Sequence, residues 1–349
     1  MSYYSKRKNE ISRMNVLLCL LVVFIHVSAE PVSLLQKLSW QYLAVFVPWR
    51  LAAFATQGFI FLSGLKLMLS GGSGSFLKYL ARRLRRVLVP YLVWNLIYYF
   101  YFMSRGYFSF DIQRLSGYVL RGDLVSPFYF VIIIVQFYIL FPICRALVRS
   151  RVPAAAVLIA CAALTLYFNL FMPRIIFQIS GRSFAYNDRL FTTYLFFWMA
   201  GCYAGAHYGK FCALLKKKKG LICTLWVSLA ALDAGLGWLH FTGVQRIPGL
   251  EIIHYFYVIS AIFFFYLVML LRTEKRYKLS AAAQNIDRAS YSIYLFHVLI
   301  INLANEWIAG AGITRISESY MLRAAIVYVS VIVICVIWNK LSSAFRKAV

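Results

Sequence analysis

Ten apolar runs, separated by short polar connectors, restrict this chain more than any single motif does. They fall at about 14–30, 43–70, 86–104, 126–148, 153–171, 189–208, 220–241, 249–271, 288–309 and 320–342. A helix needs about 20 mostly apolar residues to cross a bilayer. In hydrocarbon the backbone must satisfy its own hydrogen bonds, which such runs do as helices. The sequence therefore predicts an all-α, polytopic helix bundle with about ten transmembrane helices. The spans leave no room for a separate soluble domain in 349 residues, so 1–349 reads as one integral-membrane domain. Composition agrees: 62% of residues are hydrophobic and 14% charged, against about 25% charged in soluble domains.

Basic residues give the bundle a direction. Numbering connectors alternately from the inside, the inner set is 1–13, 66–86, 145–151, 210–219, 272–288 and 340–347, and it holds 26 of the 37 Lys and Arg. Cytoplasmic connectors carry such an excess. Both termini are thus expected in the cytoplasm, in a multi-pass plasma-membrane protein whose basic side contacts anionic lipid. The net charge of +26 is accounted for in this way and does not point to nucleic acid. Two connectors carry local expectations: Gly71–Ser75 reads as a flexible turn, and 105–125, the longest outer loop, reads as holding a short helix. The N-terminus has a competing reading. Lys6-Arg7-Lys8, the run 16–25 and Val27-Ser28-Ala29 resemble a signal peptide, and cleavage after Ala29 would leave nine helices in the same orientation. The seven cysteines form no CxxC pair and read as small buried hydrophobes.

Ionisable groups inside spans are functional candidates. His26 lies 13 residues after Arg13, about 20 Å along a helix, in the outer half of the first span. Glu30 follows at i+4 on the same face and is expected to orient the imidazole. His297 lies ten residues into the ninth run. Each histidine is equally readable as a packing or interfacial residue. Asp233 suggests either an Arg partner or an early helix end. Glu251 and His254 are too few for a metal site, which needs three or four ligands, so no metal is expected. Arg82, Arg83, Arg85 and Arg86 precede Pro90 at an inner helix end; they suit phosphate binding and ordinary cytoplasmic anchoring alike. Ser63-Gly64 offers a hydroxyl beside a close-packing glycine.

Taken in order, five pieces resemble the membrane acyltransferase-3 family across nearly the whole chain. They are Asn15 and His26 eleven residues apart; Gly58-Phe59-Ile60-Phe61-Leu62-Ser63-Gly64; Arg83-Leu84-Arg85-Arg86 running to Pro90-Tyr91; Pro127-Phe128-Tyr129-Phe130 with Tyr138 and Pro142; and Ser290-Tyr291-Ser292-Ile293-Tyr294-Leu295-Phe296-His297. The family usually has Arg eleven residues before the first-helix His, where this chain has Asn15. Arg13, two residues earlier, is turned about 200° around the helix. The Trp common in the fourth helix of relatives is replaced by Tyr129.

The resemblance implies an acyltransferase, of the O-acetyltransferase type, that moves an acyl group, usually acetyl, from cytoplasmic acetyl-CoA to a hydroxyl of a cell-surface or cell-wall carbohydrate. Arg82, Arg83 and Arg86 would hold the CoA phosphates, His26 would act as general base or acyl carrier, and Ser63, Tyr138, His297 and Asn15 would line the substrate path. Expected partners are acyl-CoA, a carbohydrate or glycolipid acceptor and membrane lipid. A transporter or flippase for a glycolipid or small solute is the alternative, although 14–171 and 189–342 show no convincing repeat. A non-catalytic protein that kept the fold is a third reading.

Overall fold

The computed structural model describes residues 8–70, 76–275 and 279–348. All elements among them are helices, and the expected Gly71–Ser75 turn lies outside the described residues. The α-helices are α1 (Asn9–Leu34), α2 (Trp40–Ala52), α3 (Ala55–Leu69), α4 (Phe76–Ser104), α5 (Ile112–Arg121), α6 (Tyr129–Arg149), α7 (Ala154–Leu170), α8 (Met172–Ser180), α9 (Leu195–Ala206), α10 (Tyr208–Lys217), α11 (Lys219–Thr242), α12 (Leu250–Glu274), α13 (Ala281–Gly310) and α14 (Ile316–Ala348). Among the described residues, eight spans are long and apolar enough to cross a membrane, and nine if the bent pair α7–α8 counts as one.

The count falls short of ten at 189–208. That run is built as short 3-10 turns followed by the 12-residue α9, well under the length of a full span. The second run contains a break: α2 ends at Ala52 and α3 starts at Ala55.

The chain divides into two compact units. Unit 1 comprises residues 1–58 and 212–349, and unit 2 comprises 59–211. In unit 2, α9 buries every residue from Phe197 to Gly205, as a helix that is apolar all round does when protein surrounds it. Glycines let it approach α3 closely: a Cβ on Gly201 would collide with the Phe61 carbonyl oxygen, and one on Gly205 would lie 2.5 Å from that of Leu65. Gly64 answers from α3, where a Cβ would meet the Trp198 carbonyl at 2.6 Å. The expected helix in the outer loop is α5. Asp111 caps it by accepting from Gln113 N (2.8 Å) and Arg114 N (3.1 Å). Tyr91 of α4 fixes its far end by donating to the Val119 carbonyl at 2.8 Å.

In unit 1, α1 is the central helix. Its buried residues, including Met14, Asn15, Leu18, Cys19, Val22 and Val23, recur at helical spacing, and it packs on α2, α12, α13 and α14. Its register against α14 is antiparallel. Ser28 Oγ and Tyr320 OH are 3.2 Å apart, and Tyr328 OH donates to the Leu20 carbonyl at 3.0 Å. Eight residues along one helix thus match eight along the other. Five of the seven cysteines are buried, in keeping with their reading as packing residues.

Candidate active site

The first expectation for α1 concerned His26 and Glu30, and the structure separates their roles. His26 is half-buried and faces His297 of α13, with ring centroids 5.2 Å apart. His297 is fully buried. Its Nδ1 lies 2.9 Å from the Ile293 carbonyl oxygen one turn back, an acceptor only, so Nδ1 carries the proton and Nε2 a lone pair. That Nε2 is buried and has no hydrogen-bond partner among the described residues. An unpaired buried acceptor is costly and is found where a group must stay available. Sequence reasoning found both histidines; their meeting across 271 positions was not readable from spacing.

Glu30 does not orient His26. Its carboxylate Oε2 is 2.6 Å from Arg323 Nη2. The reason is charge: a guanidinium buried to 3% exposure needs a counter-ion far more than a neutral imidazole does. Arg323 Nη2 also donates to Ser319 Oγ at 3.0 Å, while its Nε is buried with no partner among the described residues. The sequence showed Arg323 only as an outer basic residue. Its place at the fourth residue of the run 320–342 was the available sign that it belongs inside a span.

Further inward on α1, Asn15 is buried and its amide donates to Asp287 Oδ1 and Ser290 Oγ, both at 2.9 Å. Asn15 thus ties α1 to α13. Asp287 was missed because it sits in a basic connector, although Asp287, Ser290, Tyr294 and His297 follow one helical stripe.

Unit 1 contains a second polar cluster. Arg50 of α2 grips Asp233 of α11 through Nη2 at 2.9 Å and Nε at 3.2 and 3.3 Å. His254 Nδ1 of α12 reaches the other side of the same carboxylate at 2.9 Å. Glu251 stands 3.9 Å from Arg50. Asp233 therefore has the Arg partner that was one of two open readings, and α11 runs on to Thr242. An apolar cavity of about 390 Å³ adjoins this region, lined by Leu17 and Phe24 of α1, Leu51, Trp226, Tyr257 and Phe265 among others. Leu17 and His26 are nine residues apart, about half a revolution around the helix, so the cavity lies on the face of α1 away from the histidines.

The remaining site expectations fall in unit 2. Arg83 is half-buried, with its guanidinium carbon 5.3 Å from the Tyr79 ring centroid. It shares a small pocket with Tyr138, Leu67, Leu80 and Phe141, so two expected residues come together there. Arg82 and Arg86 are exposed on the same helix. Ser63 is half-buried on α3.

Neither curated proteins nor solved structures gave a match to the chain. The acyltransferase-3 family, described as an acyltransferase domain, matches residues 10–339. That range takes in α1 with its histidine, the Arg-bearing α4, and α13 and most of α14, so the residues described above in each unit fall inside it, and the chain belongs to the acyltransferase-3 family.

Proposed function

We propose that this membrane acyltransferase is an O-acetyltransferase of the plasma membrane, which takes acetyl from cytoplasmic acetyl-CoA and places it on a hydroxyl of a surface carbohydrate. The observation that carries the reading is the His26–His297 pair: two facing imidazoles, one with a fixed tautomer and a buried, unpaired nitrogen. Acyl transfer to a hydroxyl needs a base that can reach substrate and a group that holds the base in one tautomer. His26 is half-buried and reachable. His297 can accept one N–H of His26 through its bare Nε2, which leaves the other His26 nitrogen as the base. It takes the orienting role first expected of Glu30.

In the transfer, His26 takes the acceptor hydroxyl proton as that oxygen attacks the thioester carbonyl. A carbon–oxygen bond forms, the carbon–sulfur bond breaks, and the departing thiolate receives the proton from the imidazolium. On the donor side, Arg83 and Arg86 supply cationic groups for CoA phosphates, with Arg82 beside them, since planar guanidinium forks match phosphate oxygens. The family match supports acyl transfer as the class of reaction.

The test is thiol release from acetyl-CoA, together with acetylation of surface polysaccharide, in membranes of matched protein content. His26→Ala is expected to lower turnover by about 10²–10⁴-fold, the range of general-base catalysis, and Arg86→Ala to raise the KM for acetyl-CoA. Wild-type acetylation in both variants would overturn the reading. Movement of a glycolipid without thiol release would identify a carrier instead.

A further inference from the structure

We infer that Arg323 is the electrophilic partner of the histidine pair: its Nε–H receives the negative charge that develops on the thioester carbonyl oxygen during transfer. This rests on the acyl-transfer reading above and adds a catalytic residue to it.

Helix register positions Arg323. Tyr320 meets Ser28, and Tyr328 meets Leu20. Counting inward from these contacts in antiparallel order sets the Arg323 backbone opposite Ile25, next to His26. Side chains on a helix tilt toward its N-terminus. For Arg323 that direction leads to Ser319 and, on α1, to Glu30, which are the two groups its Nη2 engages. Nε precedes the Nη atoms along the side chain, so the register sets it inward of the Glu30 contact, toward the level of His26, which is one turn or about 6 Å from Glu30.

Two polar atoms on this stretch are buried without a partner among the described residues. One is an acceptor, His297 Nε2, and the other a donor, Arg323 Nε. They suit two parts of an acyl-transfer centre: His297 Nε2 can accept from His26, the base that removes the hydroxyl proton, and Arg323 Nε–H can meet the carbonyl oxygen on which charge develops. The Glu30 carboxylate and the Ser319 hydroxyl take up Nη2 and hold the guanidinium in place, so Nε need not reorganise when charge develops. Fixed donors of this kind, about 3 Å from the developing oxyanion, act most strongly where water is excluded. Arg323 is 2% exposed.

When the hydroxyl oxygen adds to the carbonyl carbon, the carbonyl π electrons move to oxygen, and the Arg323 N–H bonds to that oxyanion. On collapse the electrons return, the carbon–sulfur bond breaks, and the thiolate leaves with the proton held by His26. Arg323 keeps its own proton throughout.

The experiment measures thiol release from acetyl-CoA by purified wild-type protein, Arg323→Ala and Arg323→Lys, with thermal unfolding followed in parallel. Arg323→Ala is expected to lose about 10²–10³-fold in kcat, the size of one lost oxyanion donor, with the KM for acetyl-CoA within about twofold of wild type. Millimolar guanidinium is expected to restore part of the loss. If Arg323→Ala does not fold, Arg323→Lys is read by the same criterion, because its ammonium keeps the charge but not the fork. A folded variant with kcat within about threefold of wild type, or with its whole loss in KM, would overturn the assignment and leave Arg323 as a tie between helices. Folded wild-type protein that releases no thiol would instead bring down the acyl-transfer reading, and this inference with it.

Discussion

The Arg50–Asp233–His254 cluster and the His26–His297–Arg323 cluster use the same kinds of side chain in the same unit. Both are buried among membrane-spanning helices, and both join residues far apart in sequence. They differ in what is left over. No buried atom of Arg50, Asp233 or His254 lacks a hydrogen-bond partner among the described residues. Asp233 accepts from two helices, and Arg50 has the Phe241 ring 5.5 Å from its guanidinium carbon as well. The histidine cluster leaves an acceptor and a donor open. A closed network fixes helices against one another. An open one leaves buried groups for something to enter and complete. On the function proposed above, that difference makes the first cluster a tie between helices and the second the one that substrate completes.

The largest loss is expected at Asp233. Asp233→Ala strands a buried guanidinium, and removing one partner of a buried pair costs about 3–5 kcal/mol. Unfolding in detergent measures this loss, and residual folded protein is expected to keep its thiol-release rate. The double change Arg50→Met with Asp233→Leu should recover much of the stability, since an apolar pair of similar volume removes the stranded charge. Asn15→Ala is the next largest. It frees the Asp287 carboxylate from a 2.9 Å donor and is expected to cost about 1–3 kcal/mol, again read as unfolding. The smallest expected effect on stability is Glu30→Gln. The Glu30 side chain is 42% exposed and Gln keeps an acceptor for Arg323 Nη2, so less is lost than at Asp233, although the buried guanidinium gives up its counter-ion. Turnover should fall more than stability does, because Arg323 loses the carboxylate that holds it.

Much of the fold was legible because lipid imposes a simple rule. Long apolar runs gave the spans, and the length of the 105–125 connector pointed to a short helix, α5, which Asp111 and Gly122 cap. The run 189–208 failed that rule because hydropathy cannot tell a helix facing lipid from one enclosed by protein, and Gly201 and Gly205 were the signs of enclosure. The break between α2 and α3 has no proline or glycine at Ala53-Phe54 to announce it. In the site, His26 and His297 stood out as ionisable groups in apolar surroundings. Their partners did not, since the contacts of Glu30 with Arg323 and of Asn15 with Asp287 span most of the chain. A local i+4 argument assigned Glu30 to His26, and a distant charge won. Asn15, the departure from the family pattern, proves to be a satisfied tie between α1 and α13.

In the proposed transfer His26 and His297 act as one unit. A double-mutant cycle on thiol release from acetyl-CoA tests it directly, using His26→Ala, His297→Ala and the double variant at equal folded protein. Residues that act together are strongly non-additive. The account expects the double variant to be no slower than His26→Ala alone, within about threefold. Losses that multiply across the two sites would contradict it.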